Sequence, residues 1–215
     1  MNSKRILLSP PHMGGTEQTY IAQAFQDNWI APTGPHIDLF ENRLVDFLDE
    51  KSQVVALNSG TAAIHLGLQL LGVQKGDVVL CQSLTFIASV NPVLYLGATP
   101  VFIGSEKETW NLCPIALEEA ILNQLNKGIQ PKAIVVVHLY GMPAKMNEII
   151  TISKKYNIPI LEDAAEALGS SYTNQPCGTF GDFGVFSFNG NKIITTSGGG
   201  ALLCHSEAVK KKAVF

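Results

Sequence analysis

Apolar positions follow two different rhythms along this chain. Between residues 17 and 28 they recur at helical spacing, with Tyr20, Ile21, Ala24 and Phe25 on one face. A Pro/Gly loop over residues 29–35 leads to a second helix starting at Asp38, where Leu39, Phe40, Leu44, Phe47 and Leu48 repeat in the same way. Both segments read as ordinary core helices. From Gln53 onward, short apolar runs take over: VVAL (54–57), DVVLC (77–81), TPVFI (99–103), AIVVV (133–137) and IPIL (158–161). Between them lie helical stretches running to about Leu71, through Leu94, over 115–126 and over 145–156. Strands that alternate with helices predict an α/β fold, a mostly parallel sheet with helices on both faces. Residues 206–212 read as the start of another helix. The sequence then stops at Phe215 without a closing element, as a piece of a longer protein would.

Composition narrows the function classes. The 215 residues suffice for one large domain with a sizeable core. Apolar residues make up 46% and charged residues 15%, which excludes a disordered chain. Net charge is −3 and the only basic run is Lys210–Lys212, so no nucleic-acid partner is expected. Cys81, Cys113, Cys177 and Cys204 are scattered without a CxxC pair, which suits reduced, buried thiols in a cytoplasmic protein. The five histidines have no metal-ligand spacing, and no metal is expected. Residues 78–105 carry no charge and are long enough to mimic a membrane span. Asn91, Pro92, Gly97 and Pro100 break that stretch into strand, helix and strand, so no membrane role is expected. No apolar signal segment precedes LLSPPHMGG.

In such sheets, ligands gather beyond the C-terminal ends of the strands. The residues there are Asn58–Ala62, Ser83–Phe86, His138–Tyr140, Glu162-Asp163 and the stretch DFGVFSFNGNKIITTSGGG (182–200). That last stretch holds one lysine, Lys192, among small and polar residues such as Ser187, Asn189, Gly190 and Asn191. It has no other charge between Asp182 and His205. A lysine in a charge-poor, partly desolvated setting is a better nucleophile and can form a Schiff base with a carbonyl cofactor. Read blandly, it is a loop lysine reaching water.

The other strand ends carry similar pairs of readings. Ser59, Gly60, Thr61 and Ala62 can present backbone N–H groups to an anion at a helix N-terminus, or simply cap that helix. No GxxxxGK[ST] or GxGxxG is present, so neither a P-loop nor a Rossmann dinucleotide site is expected. Phe86 can stack on a flat heterocycle or belong to the core. Asp163 can keep a pyridine nitrogen protonated or cap the next helix. Ser187 can bind the same anion as the Ser59 turn or be a half-buried strand serine. Anion turn, aromatic, strand-end Asp, Ser and Lys form an ordered set at the strand ends. That order suits pyridoxal phosphate, which has a phosphate, a flat ring, a pyridine nitrogen and an aldehyde.

NSGTAAIHLGL, SLTFIASVNPVLYLGATPVF, VVHLYGMPAKM, LEDAAEALGS and GTFGDFGVFSFNGNKIITTSGGG resemble, one after another, the DegT/DnrJ/EryC1/StrS family of pyridoxal-phosphate sugar aminotransferases. The N-terminal LLSPPHMGGTEQTYIAQAFQDNWIAPTGP and NGNKIITTSGGG look most like the enzymes that aminate UDP-4-keto-6-deoxy-N-acetylhexosamines in bacillosamine-type pathways. The resemblance implies an aspartate-aminotransferase-like large domain (fold type I) over 37–215, preceded by an N-terminal arm and helix over 1–36. It also implies a small C-terminal domain that this sequence lacks. Lys192 would be the Schiff-base lysine and proton shuttle, Asp163 the partner of the pyridine nitrogen, and Phe86 the stacking ring. Thr61, Ala62 and Ser187 would hold the phosphate, with Ser59 and Gly60 shaping the turn. Glu166 stands where many relatives have Gln or His near the cofactor hydroxyl, and Asn189 would join the cofactor-binding set. A dehydratase branch replaces the lysine with histidine, and Lys192 argues against it. The implied chemistry is ping-pong transfer of an amino group, from glutamate as donor, to a nucleotide sugar in surface polysaccharide or glycan biosynthesis, by a cytoplasmic homodimer. A non-catalytic or inactive truncated relative is the competing reading. A nicotinamide oxidoreductase lacks its glycine fingerprint.

Overall fold

The computed structural model of the chain describes residues 5–7, 10–48 and 52–214. Residues 1–4, Leu8, Ser9, residues 49–51 and Phe215 lie outside them; the first of these belong to the stretch expected to be an N-terminal arm. Two helices, α1 (Glu17–Gln26) and α2 (Pro35–Leu48), precede the sheet. Pro35 opens α2 three residues before the expected Asp38; proline fits the first helical turn, where its missing N–H costs nothing. The chain then alternates through β1 (Gln53–Leu57), α3 (Gly60–Leu70), β2 (Val78–Gln82), α4 (Asn91–Tyr95), β3 (Thr99–Ile103), α5 (Pro114–Leu125), β4 (Ala133–Val137), α6 (Met146–Tyr156) and β5 (Ile160–Asp163). A two-stranded hairpin, β6 (Ser171–Tyr172) and β7 (Gln175–Pro176), stands apart from the main sheet. Strands β8 (Phe183–Ser187) and β9 (Gly200–Cys204) and helix α7 (Glu207–Val214) complete the described chain.

The main sheet has seven strands in the order β1-β9-β8-β5-β4-β2-β3. Strands β3, β2, β4, β5 and β8 run parallel to one another, as the alternation predicts. The pattern misses β8 and β9, because no crossover helix separates them. They flank the Lys192 loop, and β9 runs antiparallel to both β8 and β1. Two reversals make β1 point the same way as β8. The C-terminal ends of β1, β2, β4, β5 and β8 therefore share one edge of the sheet with the start of β9.

Successive strand residues face opposite sides, and the core divides accordingly. Val79, Cys81, Val135, Leu161, Val185 and Leu202 pack with Ile64 and Leu68 of α3 and Val93 of α4, and α7 leans on the same layer. On the other face, Leu80, Ile134, Val136 and Ile160 pack with α5 and α6, while Leu203 and Phe186 pack with Leu44 and Leu48 of α2. The uncharged 78–105 stretch is strand, 3-10 turn, short helix and strand. Among the described residues, no helix is long and apolar enough to cross a membrane.

Helix α1 departs from the sequence expectation. It buries none of its residues, and Tyr20, Ile21 and Phe25 are largely exposed. Its apolar face is not part of this chain's core. Helix α2 buries Leu44 and Leu48 but leaves Leu39 and Phe47 exposed, so only one stripe of it meets the sheet.

Candidate active site

The first component of the site is the turn between β1 and α3. Ser59 has extended backbone, and its Oγ accepts a hydrogen bond from the Ala62 N–H at 3.1 Å, so the bland capping reading holds for Ser59. The same bond occupies the Ala62 N–H. The N–H groups of Gly60 and Thr61 precede any intrahelical acceptor and lie at the positive end of α3. A Cβ on Gly60 would lie 3.0 Å from the Ser187 Cβ, so the bare glycine lets the last residue of β8 close on the turn. Gly200 faces Leu57 in β1 and Ser187 in β8. A Cβ there would run into the Ser59 carbonyl and come within 2.6 Å of the Gly60 nitrogen. Small residues thus bring Ser59, Gly60, Thr61 and Ser187 together across two strand junctions. The arrangement suits an anion: two N–H groups that precede any intrahelical acceptor, with the Ser187 hydroxyl close to the turn.

The second component is the end of β5. Asp163 is buried and lies on the side of α3 and α4. Its Oδ2 accepts from the Ser89 Oγ at 2.6 Å and its Oδ1 from the Ala165 N–H at 3.1 Å. Burial raises its carboxyl above the ordinary value, against the pull of those two hydrogen bonds and of the Lys192 charge. Glu162, on the opposite face, has a structural task. Its carboxylate accepts from the N–H groups of Gly178 (2.9 Å), Phe180 (2.6 Å) and Gly181 (2.6 Å). His138 Nε2 lies 2.8 Å from the same carboxylate, and His138 Nδ1 accepts from the Ala144 N–H at 3.1 Å. That second bond puts the imidazole proton on Nε2, which donates to Glu162.

Lys192 lies in the loop between β8 and β9. The loop is folded onto β8 by bonds from the Thr196 N–H (2.9 Å) and the Thr195 hydroxyl (3.1 Å) to the Phe188 carbonyl. Asn189 contributes through its backbone: its carbonyl accepts from the Lys192 N–H at 3.0 Å and closes the turn that carries the lysine. The Lys192 ammonium is nearly buried and donates to Glu166 Oε1 at 3.2 Å. Its surroundings are therefore charge-poor in sequence but not in space. Glu166 arrives from the segment after β5, with Asp163 close enough to sense the lysine's charge.

Phe86 projects from the head of the 3-10 turn Ile87–Ser89 and is 74% exposed, so the core reading fails for it. The same turn holds Ser89, whose hydroxyl also meets Thr85 Oγ1 at 2.7 Å. Sequence inspection passes over Ser89, as it does the use of His138 as a partner of Glu162. A serine inside an apolar run carries no signal of its own; only the fold shows that it reaches Asp163.

With this geometry in place, comparison with known proteins is informative. The profile of the DegT/DnrJ/EryC1/StrS aminotransferase family matches residues 11–215. The chain is 55% identical over 212 residues to the candidate pyridoxal phosphate-dependent aminotransferase EpsN of Bacillus subtilis, which covers 99% of this chain and 54% of EpsN. It is 39% identical over 206 residues to the GDP-perosamine synthase of Escherichia coli O157:H7, covering 96% of this chain and 55% of that enzyme. Among solved structures, the PLP form of the candidate sugar aminotransferase Spr1654 from Streptococcus pneumoniae superposes with a TM-score of 0.86 at 31% identity. That match covers 98% of this chain and 56% of Spr1654. The chain thus spans about half the length of the relatives it matches. Its fold is the fold type I architecture of pyridoxal phosphate aminotransferases. By the near-complete family match, this chain belongs to the DegT/DnrJ/EryC1/StrS family of pyridoxal phosphate-dependent sugar aminotransferases.

Proposed function

We propose that the whole protein transfers an amino group from an amino-acid donor, glutamate, to the keto group of a nucleotide-activated sugar. The observation that carries this reading is the convergence of Lys192, Asp163, Glu166 and the Gly60/Ser187 turn on one edge of the sheet. The residues fit pyridoxal phosphate group by group. A side-chain-free cradle with a hydroxyl suits the phosphate, and a buried carboxylate suits a protonated ring nitrogen. An exposed phenyl ring suits the heterocycle, and a nearly buried amine suits the aldehyde.

Bound here, pyridoxal phosphate supplies an electron sink for the carbon that loses or gains its proton. The protein's own groups do the rest. The N–H groups of Gly60 and Thr61 and the Ser187 hydroxyl bind the phosphate, with Ser59 holding the turn and Ala62 in its first helical residues. Asp163 pairs with the ring nitrogen and holds its proton. Phe86 covers one ring face. Lys192 Nζ would hold the cofactor's aldehyde and, once free as a neutral amine, would take the proton from the amino-bearing carbon of the donor and, in the second half-reaction, give a proton to the carbon that receives the amino group. Glu166 holds that amine through its carboxylate, and Asn189 fixes the turn from which the lysine reaches.

The name of one relative, GDP-perosamine synthase, favours a nucleotide-linked sugar. The exposed apolar face of α1 favours a homodimer in which a second copy covers it. The test is to load the protein with pyridoxal phosphate and record its visible spectrum while adding single amino acids. Glutamate is expected to bleach the band and yield 2-oxoglutarate, and a keto nucleotide sugar to restore it with formation of an amino sugar. A spectrum indifferent to every amino acid would overturn the assignment.

A further inference from the structure

Asp163 is held from a side that the reading above does not use. Ser89 is fully buried, and its hydroxyl reaches across 74 residues of sequence to Asp163 Oδ2 at 2.6 Å. A buried serine in a 3-10 turn has a nearer way to satisfy itself, by bonding a carbonyl of its own turn. Here the backbone closes that turn instead, through the Ser89 N–H and the Phe86 carbonyl at 3.1 Å, and the hydroxyl is left for the carboxylate.

Proton counting then fixes the direction of the next bond. An ionised carboxylate has no proton to give, so Ser89 is the donor to Asp163. A serine has one O–H. The 2.7 Å contact between Ser89 Oγ and Thr85 Oγ1 must therefore be donated by Thr85. The three groups form a one-way chain, Thr85 O–H to Ser89 O–H to Asp163, running from a half-buried position inward. The Ala165 N–H holds the other carboxylate oxygen. With both oxygens tied, the carboxylate cannot rotate freely. The titratable neighbours of this carboxylate are Lys192, from the loop after β8, and His138, just past the end of β4. Neither is hydrogen-bonded to it: Lys192 donates to Glu166, and His138 meets Glu162.

We propose that Ser89, itself held by Thr85, is a positioning residue that keeps the Asp163 carboxylate in one fixed, hydrogen-bond-accepting orientation for the cofactor's protonated ring nitrogen. The proposal rests on the assignment of Asp163 above. One short segment, residues 85–89, then supplies both the ring that faces the heterocycle and the hydroxyls that orient its acid partner. A carboxylate deprived of a charge-assisted hydrogen bond in a buried site loses a strong reason to stay ionised.

Two readouts separate this proposal from the reading it rests on. The first is a carbon-13 NMR titration of the Asp163 carboxyl in the cofactor-free chain, with the resonance identified by its loss in Asp163→Asn. Ser89→Ala is expected to move the titration to higher pH, Ser89→Thr to leave it near wild type, and Thr85→Val to shift it less than Ser89→Ala. An unmoved titration in both Ser89→Ala and Thr85→Val would overturn the proposal. The second is the affinity for pyridoxal phosphate, expected to weaken about tenfold in Ser89→Ala and to recover in Ser89→Thr. If Asp163→Asn binds the cofactor as wild type does, the pairing of Asp163 with the ring nitrogen falls, and this proposal with it as a statement about the cofactor. If Asp163→Asn weakens binding while Ser89→Ala leaves both readouts unchanged, only the role of Ser89 falls.

Discussion

Glu162 and Asp163 are neighbours in β5 and face opposite sides of the sheet. Glu162 ties down the 178–181 backbone and His138, while Asp163 meets Ser89 and senses Lys192. Strand alternation alone sends Glu162 into a buried structural network and Asp163 to the candidate site. The two acids should therefore respond to mutation in opposite ways.

Replacing Asp163 by Asn is expected to stabilise the cofactor-free chain at neutral pH. Burial raises the Asp163 carboxyl in the folded state above the ordinary 3.8. As pH rises past that value, the unfolded chain gives up its proton before the folded one does, so folding loses stability on the way up. Asn carries no charge and escapes this loss. A higher Tm than wild type is expected at pH 7, with the gap closing near pH 3. A variant that melts below wild type at pH 7 would contradict the assignment of Asp163 as a strained, function-serving charge.

Removing the Glu162 carboxylate should do the reverse. Glu162→Ala leaves the N–H groups of Gly178, Phe180 and Gly181, and the His138 N–H, without their buried acceptor. Leaving a buried donor without its acceptor costs about 1–3 kcal/mol, and several are stranded here. Denaturant unfolding is expected to show a loss of that order, or no folded protein at all. A change below about 1 kcal/mol would mean that the network contributes little.

Gly200 tests the cradle itself. Its φ is not the obstacle; the space is. A Cβ would strike the Ser59 carbonyl, which sits where β1 hands over to α3. Overpacking of this kind costs about 1–3 kcal/mol when the neighbours can move, and backbone cannot move far. Gly200→Ala is expected to lower Tm and to weaken pyridoxal phosphate binding. Gly190→Ala, where a Cβ meets nothing within 4 Å, should leave both unchanged. Equal behaviour of the two variants would remove the argument for a glycine-dependent cradle.

Much of this was open to inspection in the sequence because parallel α/β folds write themselves in long-period alternation. The five apolar runs from Val54 to Leu161 are all strands of the main sheet, and residues near their C-terminal ends do gather on one edge. Strands β8 and β9 escaped because the loop between them has no helix to mark it. The α1 helix misled in the other direction. Its apolar stripe is real, but periodicity states only that a face seeks a partner, not that the partner lies in the same chain. Glu166 beside Lys192 was equally hidden from local composition, since 26 residues separate them. Ser89 was the least legible, because a hydroxyl becomes informative only when its acceptor is known.

The central claim is that Lys192 is the residue that takes the cofactor. Borohydride reduction of the chain loaded with pyridoxal phosphate, followed by peptide mass mapping, tests it directly. One pyridoxyl label on the peptide that contains Lys192, lost in Lys192→Ala, is the expected result. A label spread over several surface lysines, unchanged in Lys192→Ala, would contradict it.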